Sequence, residues 1–311
     1  YHMREAGSTA VQEIAFTIAN GIEYIQTCID RGLKIDDFAP RLSFFFCCTI
    51  EFFEEVAKFR TARKIYAKIL KERFHAKNPK SLQLRFHTQT SGESLTAQQP
   101  DNNVVRVAIQ AMAAVLGGTQ SLHTNSMDEA LALPSQEAAK IALRTQQVIG
   151  YESGITKTVD PMSGSYYMES LCDEIEEQTL SYLKKIDNMG GALCAIEKGF
   201  FQSEIRQNAY RLKKEVDSNE RILVGVNKFN EESKNKQNLL RIDDSLGKKQ
   251  ERAIKQLRKS RDNKKTEYAL SKMQKAAETD KNLMPFILDS VLAYATTGEI
   301  SNTFREVFGE Y

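Results

Sequence analysis

The sequence predicts an α/β protein: a partial (β/α)8 TIM barrel, made of its last strands and helices, followed by a mostly helical C-terminal region. Three observations lead to this fold class. Short apolar stretches alternate with longer segments whose apolar residues recur at helical spacing. Two of the short stretches run into polar side chains, at 87–91 and 119–126, as strands do where they end at a ligand site. A third stretch, 39–46, has the apolar residues but fewer polar ones.

The number of strand–helix units indicates that the barrel is incomplete. Residues 1–150 contain three full units and the end of a fourth strand at Tyr1, whereas a closed barrel needs eight strands. Three or four parallel strands leave open edges and an uncovered face. We therefore expect the missing strands to come from an upstream segment or from a separate polypeptide. The first residue is Tyr1 rather than Met, which favours a native start further upstream.

Each element of the barrel part follows from local signals. Thr9 and Gln12 form a capping-box signature, and Gly32 is a helix stop. The predicted elements are, in order, the end of a strand and a loop at Tyr1–Gly7, a helix from Val11 to before Gly32, a strand at Ala39–Phe46, a helix at Ile50–Leu70, a strand at Leu82–Phe86, a helix from Asn102 to Leu116, a strand at Thr119–Leu122, a short helix at Met127–Leu133 and a helix from Ser135 to Ile149.

From Tyr151 the pattern changes, so we predict two domains: 1–150, the C-terminal part of the barrel, and 151–311, a helical extension and linker region. The elements predicted here are an irregular segment at 151–165, helices at Tyr167–Lys185, Gly190–Lys198 and Ser203–Asp217, a small strand at Ile222–Val226, and terminal helices at Asn282–Thr297 and Glu299–Phe308. Asn230–Lys281 is rich in charged and amide residues and is predicted to be the least buried third of the chain.

Composition limits the classes of partner and the compartment. A net charge of +2 gives no electrostatic basis for binding nucleic acid or an anionic membrane, and no apolar run approaches the length of a membrane span. The sequence shows no signal peptide, and its five cysteines lack CxxC spacing. They therefore fit reduced thiols of a cytoplasmic protein, and we expect no metal site.

Several long motifs occur in one order along nearly the whole chain. They are Tyr1–Gly7 (YHMREAG), Phe38–Phe45 (FAPRLSFF), His87–Gly92 (HTQTSG), Gly118–Ser126 (GTQSLHTNS) with Asp128–Ala130 (DEA), Val224–Lys228 (VGVNK), Gly298–Ile300 (GEI) and Val307–Glu310 (VFGE). Together these motifs resemble those of the adenosylcobalamin-dependent acyl-CoA mutases, and among them the large, catalytic subunit of methylmalonyl-CoA mutase.

The resemblance implies an isomerase that rearranges the carbon skeleton of an acyl-CoA through radicals, with adenosylcobalamin as cofactor. Interconversion of (R)-methylmalonyl-CoA and succinyl-CoA is favoured, while isobutyryl, 2-hydroxyisobutyryl and ethylmalonyl thioesters stay open. The family fold is a barrel whose axis is threaded by the pantetheine of the substrate. A different class of function, a non-catalytic incomplete barrel that serves as an assembly subunit, is the alternative that the missing strands motivate.

The resemblance also carries site residues onto this sequence. His2 matches the histidine that hydrogen-bonds the thioester carbonyl, where a donor stabilises developing charge. The predicted contacts to substrate and CoA are Tyr1, Arg41 and Ser43, and those to the cofactor are Glu5, Gln89, Gln120 and Glu129. Some of these residues also have a plainer interpretation: His2 could be a frayed terminus, Arg41 a surface ion-pair residue, and Glu129 a residue that favours a helix N-terminus. Two neighbouring features do as well: His87 could be a structural histidine, and the aromatic run Phe44–Phe46 could be core.

Departures and missing parts define the partners that we expect. The family has Trp-Gly and Trp where this chain has Phe46-Cys47 and Glu93, and the chain has no Trp. The family residues that bind the acyl substituent lie on earlier strands. The motif Asp-x-His-x-x-Gly, which carries the cobalt ligand, is absent. The expected partners are therefore the N-terminal barrel portion and a cobalamin-binding small subunit or domain that supplies the axial ligand, in an oligomer.

Overall fold

The computed structural model describes residues 1–231, 239–241, 243 and 245–310. The chain divides into two compact units, Tyr1–Leu240 and Arg241–Tyr311. The predicted boundary near residue 150 marks where the barrel part of the chain should end, which is a different division from these compact units. It stays a prediction. Part of the predicted solvated segment lies outside the described residues.

The first unit contains three strands, nine α-helices and three short 3-10 turns among its described residues. The strands are β1 (Phe44–Cys48), β2 (Phe86–Thr90) and β3 (Ser121–His123). The α-helices are α1 (His2–Glu5), α2 (Ala10–Asp30), α3 (Ile35–Phe38), α4 (Phe52–Glu72), α5 (Asn102–Leu116), α6 (Gln136–Tyr151), α7 (Tyr166–Asn188), α8 (Ala192–Glu197) and α9 (Phe200–Asp217). The 3-10 turns are Ala39–Arg41, Pro79–Leu82 and Ile155–Lys157.

The strands form one parallel sheet in the order β1-β2-β3, with helices connecting consecutive strands. Phe45 lies opposite His87, which lies opposite Ser121. Because side chains alternate along a strand, these three point to one face, and their neighbours point to the other. On that second face Phe46 and Phe86 pack against Phe59 of α4, at ring-centroid distances of 6.2 and 5.2 Å.

The core of this unit lies between the sheet and a layer of long helices. Helix α4 covers the sheet, and both α2 and α7 pack on α4. Phe16 of α2 and Ile65 of α4 are fully buried, and Met168 of α7 is almost so. Burying side chains of this size stabilises each by roughly 1.5–3 kcal/mol, so this layer is what holds α4 against the strands. Three parallel strands with flanking helices are consistent with part of a barrel, although the described residues do not form a closed one.

Helix boundaries follow the caps that the sequence predicts. The Thr9 hydroxyl accepts a hydrogen bond from the Gln12 amide at 3.1 Å, and the Gln12 side chain accepts one from the Thr9 amide at 2.9 Å. Ser135 caps α6 by accepting from Ala138 N at 3.2 Å. Each cap satisfies amides that a helix start leaves unbonded, so these two predictions are confirmed.

Strand boundaries differ from the predictions. Ala39–Arg41 forms a 3-10 turn and β1 begins only at Phe44, because Pro40 lacks the amide proton that a strand would use. β2 covers Phe86–Thr90 rather than Leu82–Phe86, and β3 covers Ser121–His123 rather than Thr119–Leu122. The polar run is therefore inside β2.

Polar residues can be buried in β2 because they are paired there. The Thr88 hydroxyl bonds the Thr119 hydroxyl at 2.8 Å, and the Thr90 hydroxyl accepts from Asn125 N at 2.9 Å. A paired hydroxyl avoids the desolvation cost that normally keeps threonine out of a core.

Three predicted elements are wrong. Tyr1–Gly7 does not form a loop after a strand end: the Tyr1 carbonyl accepts from the Arg4 and Glu5 amides, which closes the short helix α1 directly after Tyr1. Met127–Leu133 forms turns rather than a helix, since Asp128 accepts hydrogen bonds from the Leu131, Ala132 and Ser135 amides. At Ile222–Val226 the only described pairing is a single bridge between Val224 and Lys228, because the Asn227 side chain bonds the backbone in place of a strand.

The second unit is helical. Its helices are α10 (Ser245–Ser260), α11 (Asn263–Ala277), α12 (Met284–Leu292) and α13 (Thr297–Phe308). Helix α10 has no buried residue, which agrees with the prediction for this segment, but α11 buries Ala269 and Met273 where it packs on α12 and α13. None of the helices in the described part of the chain is long and apolar enough to cross a membrane.

Candidate functional site

The predicted active-site residues at the start of the chain pack along β1, from Tyr1 at Phe45 to Glu5 at Cys47 near the carboxyl end. The backbone nitrogen of Tyr1 donates a hydrogen bond to the Phe45 carbonyl at 2.8 Å. The Tyr1 ring stacks on the Phe45 ring with a centroid distance of 4.5 Å and an interplanar angle of 3°. These two contacts fix Tyr1, and α1 then carries the next residues across the strand end.

His2 is held by aromatic contacts and leaves its imidazole exposed. Its ring is edge-on to Tyr1 at 5.4 Å and to Phe45 at 6.3 Å. No described residue takes a hydrogen bond from either ring nitrogen of His2 within the part of the chain that the structure covers. The ring is thus oriented but keeps a free donor, which is what a carbonyl-binding residue needs. These contacts orient the ring, and the role of His2 stays a prediction.

Glu5 ties α1 to the loop that follows β2. One carboxylate oxygen accepts from Gly92 N at 2.9 Å, and the other from Glu93 N at 3.0 Å. The Cys47 thiol donates to Glu5 at 3.4 Å. A side chain at Gly92 would come within 3.3 Å of the Asn125 amide, so glycine permits this approach. Glu5 therefore acts in this structure as a backbone clamp.

Gln89 and Asn125 form a fixed pair at the carboxyl ends of β2 and β3. The Gln89 side-chain amide donates to the Asn125 side-chain oxygen at 2.9 Å, and the Asn125 amide donates to the Thr90 carbonyl at 2.8 Å. Asn125 is 2% exposed, so all of its side-chain bonds are to protein. Asn125 belongs to the polar motif Gly118–Ser126 but is not among the predicted site residues. Its position directly after a strand was the available signal.

Burial and negative charge raise several pKa values at this end of the sheet. Partial burial and the charge of Glu5 raise the pKa of Glu93, and they also raise the pKa of Glu129 against the opposing effect of His123. The pKa of the Tyr1 phenol is raised by the same two causes, burial first. Both carboxyl groups are therefore easier to protonate than ordinary glutamates, and Tyr1 stays a neutral hydroxyl.

The open face of the sheet carries aromatic and polar side chains. His87 lies 5.1 Å from the Phe45 ring, and its Nδ1 is 2.8 Å from the Ser121 hydroxyl. Burial and the nearby His123 lower the pKa of His87, so its imidazole is neutral at neutral pH. The hydrogen bond to Ser121 is what a structural histidine would have. Gln89 and His123 follow on the same face.

Three predicted site residues lie at the other end of the strands. Arg41 and Ser43 precede β1 and are exposed at its amino end. Gln120 precedes β3; its side chain accepts from Phe86 N at 2.7 Å and donates to the Gly118 carbonyl at 2.6 Å. These three residues therefore do not lie with the others at the carboxyl ends of the strands, and their roles stay predictions. Tyr1, His2, Glu5 and Gln89 do converge, with Glu129 beside Gly92.

A buried group of charges lies beneath α1 and was not predicted. We call Arg4, Glu13, Glu55 and Lys58 the buried cluster. The Lys58 ammonium is 2.6 Å from Glu13 and also pairs with Glu55, and Arg4 pairs with Glu55 at 3.2 Å. The side chains of Glu13, Glu55 and Lys58 are all 0% exposed.

The charges of the buried cluster hold one another in the ionised form. Burial alone would lower the pKa of Lys58, but the carboxylates of Glu13 and Glu55 raise it above its ordinary value. Burial alone would raise the pKa of Glu55, but Lys58 and Arg4 bring it below its ordinary value. Arg4, Glu55 and Lys58 are therefore charged at neutral pH.

The described residues show neither a metal cluster nor a paired cysteine. No group of three or more histidine, cysteine or acidic side chains in the described ranges could hold a metal ion. All five cysteines are free, and burial raises the pKa of Cys47 and Cys48 well above the ordinary value, so both are thiols.

Comparison with known proteins gives a consistent result over the whole chain. The sequence profile of the methylmalonyl-CoA mutase family matches residues 1–310. The chain is 47% identical over 313 residues to the mitochondrial methylmalonyl-CoA mutase of Mus musculus, and 45% identical over 313 residues to the methylmalonyl-CoA mutase of Rhizobium meliloti. It is 44% identical over 313 residues to the 2-hydroxyisobutanoyl-CoA mutase large subunit of Aquincola tertiaricarbonis.

In each comparison the match covers all of this chain but only part of the relative. The share is 42% of the mouse protein, 44% of the Rhizobium protein and 56% of the Aquincola subunit. The chain therefore spans about half the length of the curated relatives it matches.

Proposed function

The chain belongs to the methylmalonyl-CoA mutase family, and from that premise we propose that it forms the C-terminal part of the catalytic barrel of an adenosylcobalamin-dependent acyl-CoA mutase. The reaction is an isomerisation in which an acyl group moves to the adjacent carbon of a CoA thioester. Methylmalonyl-CoA is the first substrate to test, because most of the relatives described above carry that name.

The observation that carries this proposal is the convergence of Tyr1, His2, Glu5 and Gln89 at the carboxyl ends of two parallel strands. Tyr1 is stacked on Phe45, and His2 stands edge-on to both rings. Glu5 and Gln89 are fixed by hydrogen bonds to the two loops that follow β2 and β3. The carboxyl ends of parallel strands are where such folds bind their substrates.

His2 has the central chemical role in this proposal. Its free ring N–H donates a hydrogen bond to the thioester carbonyl oxygen of the substrate. Negative charge grows on that oxygen while the acyl group migrates, so a fixed donor stabilises the transition state more than the ground state. The Tyr1 hydroxyl, kept neutral by its raised pKa, lines the same position as a second donor.

The polar groups around this position suit a cofactor with many hydrogen-bonding groups. When bound, adenosylcobalamin supplies the radical chemistry. Glu129 is exposed, has a raised pKa and accepts no hydrogen bond in the described part of the chain, and Gln89 lies beside it with a fixed side chain. These two residues would hold the cofactor. Both oxygens of Glu5 are already bonded to backbone amides, so Glu5 fits a supporting role better than direct contact.

The amino end of β1 suits the far end of a long substrate. His2 contacts Phe45, which lies two residues after Ser43, about 7 Å along a strand. A pantetheine chain on the open face would thus run from Arg41 and Ser43, near the CoA phosphates, towards the thioester at His2. Arginine gives planar, charge-assisted donors to phosphate oxygens.

The rest of the barrel and a cobalamin-binding domain or subunit complete the enzyme in this proposal. Tyr1 N bonds to the Phe45 carbonyl as a residue of a neighbouring parallel strand would, which supports a preceding strand on this side of β1. The cobalt ligand comes from the cobalamin-binding partner, and we place the assembly in the cytoplasm. 2-Hydroxyisobutanoyl-CoA is the second candidate substrate, supported by the Aquincola subunit at 44% identity.

Turnover of the complete mutase tests the proposal. The chain is assembled with its upstream barrel portion, a cobalamin-binding subunit and adenosylcobalamin, and is given methylmalonyl-CoA or 2-hydroxyisobutanoyl-CoA. His2→Phe keeps an aromatic ring but removes the donor, and we expect a fall in kcat of about a hundred-fold or more.

The matched control is His75→Asn. His75 is an exposed histidine after α4, and its positive φ of 55° is tolerated by asparagine. This variant should keep wild-type kcat. Undiminished turnover in His2→Phe would refute the carbonyl-donor role. No turnover with any acyl-CoA would favour the assembly subunit instead.

A further inference from the structure

On the edge of β1 that does not pair with β2, the backbone of one residue, Cys47, is hydrogen-bonded by side chains. Phe44 N donates to the Arg85 carbonyl, and the Cys48 carbonyl accepts from Ser91 N, so these residues face β2. In a parallel sheet the intervening residues direct their amide and carbonyl groups to the opposite edge. Cys47 is such a residue, and its backbone is therefore available to whatever lies on that side.

At this edge Cys47 is bonded to an ion pair. Its amide donates to Glu13 at 2.7 Å, and its carbonyl accepts from the Lys58 ammonium at 2.6 Å. Glu13 and Lys58 are bonded to each other at 2.6 Å. One ion pair from α2 and α4 thus makes both hydrogen bonds that a neighbouring strand would make with Cys47.

The ion pair is saturated, which makes its geometry rigid. An ammonium group has three donors. Those of Lys58 are taken by Glu13, by Glu55 and by the Cys47 carbonyl. Glu55 in turn pairs with Arg4 of α1, so the same cluster holds the helix that carries His2.

We propose that Glu13 and Lys58 are positioning residues of the mutase. Because they occupy the backbone of Cys47, the neighbouring chain can make a ladder bond at Phe45 but none beyond it. The chain must leave the sheet after Tyr1 and turn into α1, which places His2 against Phe45 on the open face of the sheet. The effect on kcat rests on the proposed function, whereas the effect on hydrogen exchange of α1 rests on the geometry alone.

The first test is made in the complete mutase and uses a charge-balanced double variant, Glu13→Leu with Lys58→Met, which removes both side-chain bonds to the Cys47 backbone. It removes both charges, so no charge of this pair is left buried alone. With His2 no longer held, we expect kcat to fall by about a hundred-fold while KM for the acyl-CoA changes little. In a His2→Phe background the double variant should lower kcat less than three-fold further, because both changes act on one hydrogen bond. If the double variant lowers kcat by the same factor in the His2→Phe background as in the wild type, the proposal is overturned.

The second test is hydrogen exchange of the same assembly without substrate, which does not depend on turnover. The double variant should speed exchange in peptides that cover α1 and β1 by at least about ten-fold, with other peptides unchanged. The control is Arg60→Met on the same helix, which breaks the pairs with Asp160 and Glu169 on another face of α4. It should leave α1 protected. Unchanged protection of α1 in the double variant, or equal loss in both proteins, would refute positioning even if the mutase assignment failed.

Discussion

Two groups of charged side chains in this protein use the same residue types in opposite ways. The buried cluster of the first unit joins two basic and two acidic residues around the backbone of a strand. The second unit has what we call the helix-cap cluster: Arg258, Arg261, Thr296 and Glu299. There Arg261 makes two hydrogen bonds to Glu299, at 2.6 and 2.7 Å, and Glu299 also accepts from Thr296 N at 2.8 Å.

The difference lies in what water can do when a partner is lost. Glu55 and Lys58 are 0% exposed, so a charge left alone there would stay desolvated. Glu299 is 22% exposed, and water can replace part of a missing bond. The buried ion pairs therefore fix the geometry of the backbone, but losing one partner strongly lowers the free energy of unfolding. The helix-cap cluster contributes less, and losing one of its partners lowers the free energy of unfolding only modestly.

The largest effect should come from breaking the buried cluster on one side. Glu55→Leu leaves Lys58 and Arg4 each with one partner fewer in a dry environment. We expect a loss of about 3–5 kcal/mol in the free energy of unfolding, measured by denaturant titration of the complete protein. A loss below about 1 kcal/mol would show that the cluster is solvated in solution and would remove the contrast.

A smaller effect should follow from Glu299→Gln in the helix-cap cluster. The variant loses the ion pairs and weakens the capping box of α13. We expect local destabilisation of about 1–2 kcal/mol, read from faster hydrogen exchange in peptides of the second unit. If exchange there rose as much as it does around β1 in Glu55→Leu, the two clusters would be equivalent.

The pH dependence of the second unit sharpens the comparison. The hydrogen bonds from Arg261 and Thr296 lower the pKa of Glu299 from 4.5 to about 2. The folded state thus binds fewer protons than the unfolded state, so the stabilisation is complete above pH 4.5 and is lost as pH falls towards 2. Protection factors of α13, corrected for intrinsic exchange, should fall in this window in the wild type. They should be nearly flat there in Glu299→Gln.

The smallest effect should come from an exposed ion pair in the first unit. The Arg73 Nη1 donates to both carboxylate oxygens of Asp187, and the two side chains are 43% and 47% exposed. Arg73→Leu should change the free energy of unfolding by less than about 1 kcal/mol. A larger loss would mean that exposure does not decide the strength of these pairs.

The sequence predicted the features that depend on local chemistry. The Thr9 and Ser135 caps follow from hydroxyl side chains placed before helical segments, and both form. The parallel strands followed from apolar stretches separated by helices. The strand limits were displaced because β2 contains buried threonines, whose partners Thr119 and Asn125 are more than thirty residues away and invisible to a local pattern.

The buried cluster could not be predicted for the same reason. Lys58 lies in a helix between Glu54, Glu55 and Arg60, a pattern typical of a solvated face. Its burial depends on Glu13, 45 residues earlier, which meets it only once α2 and α4 have packed together. The motif resemblance predicted roles for Tyr1, His2, Glu5, Gln89 and Glu129, and the structure brings these residues near one another while their roles stay predictions. It could not show that Arg41, Ser43 and Gln120 lie at the opposite end of the strands.

The occupied backbone of Cys47 also has a consequence for how a barrel could close at this seam. A strand that docks beside β1 finds an acceptor at Phe45 and, two residues on, a position already filled by Lys58. Sliding by one residue would turn its side chains to the wrong face, and sliding further would push its backbone into a buried ammonium group. The Lys58 ammonium therefore leaves a strand that pairs with this edge of β1 only one alignment, in which the pairing ends at Phe45.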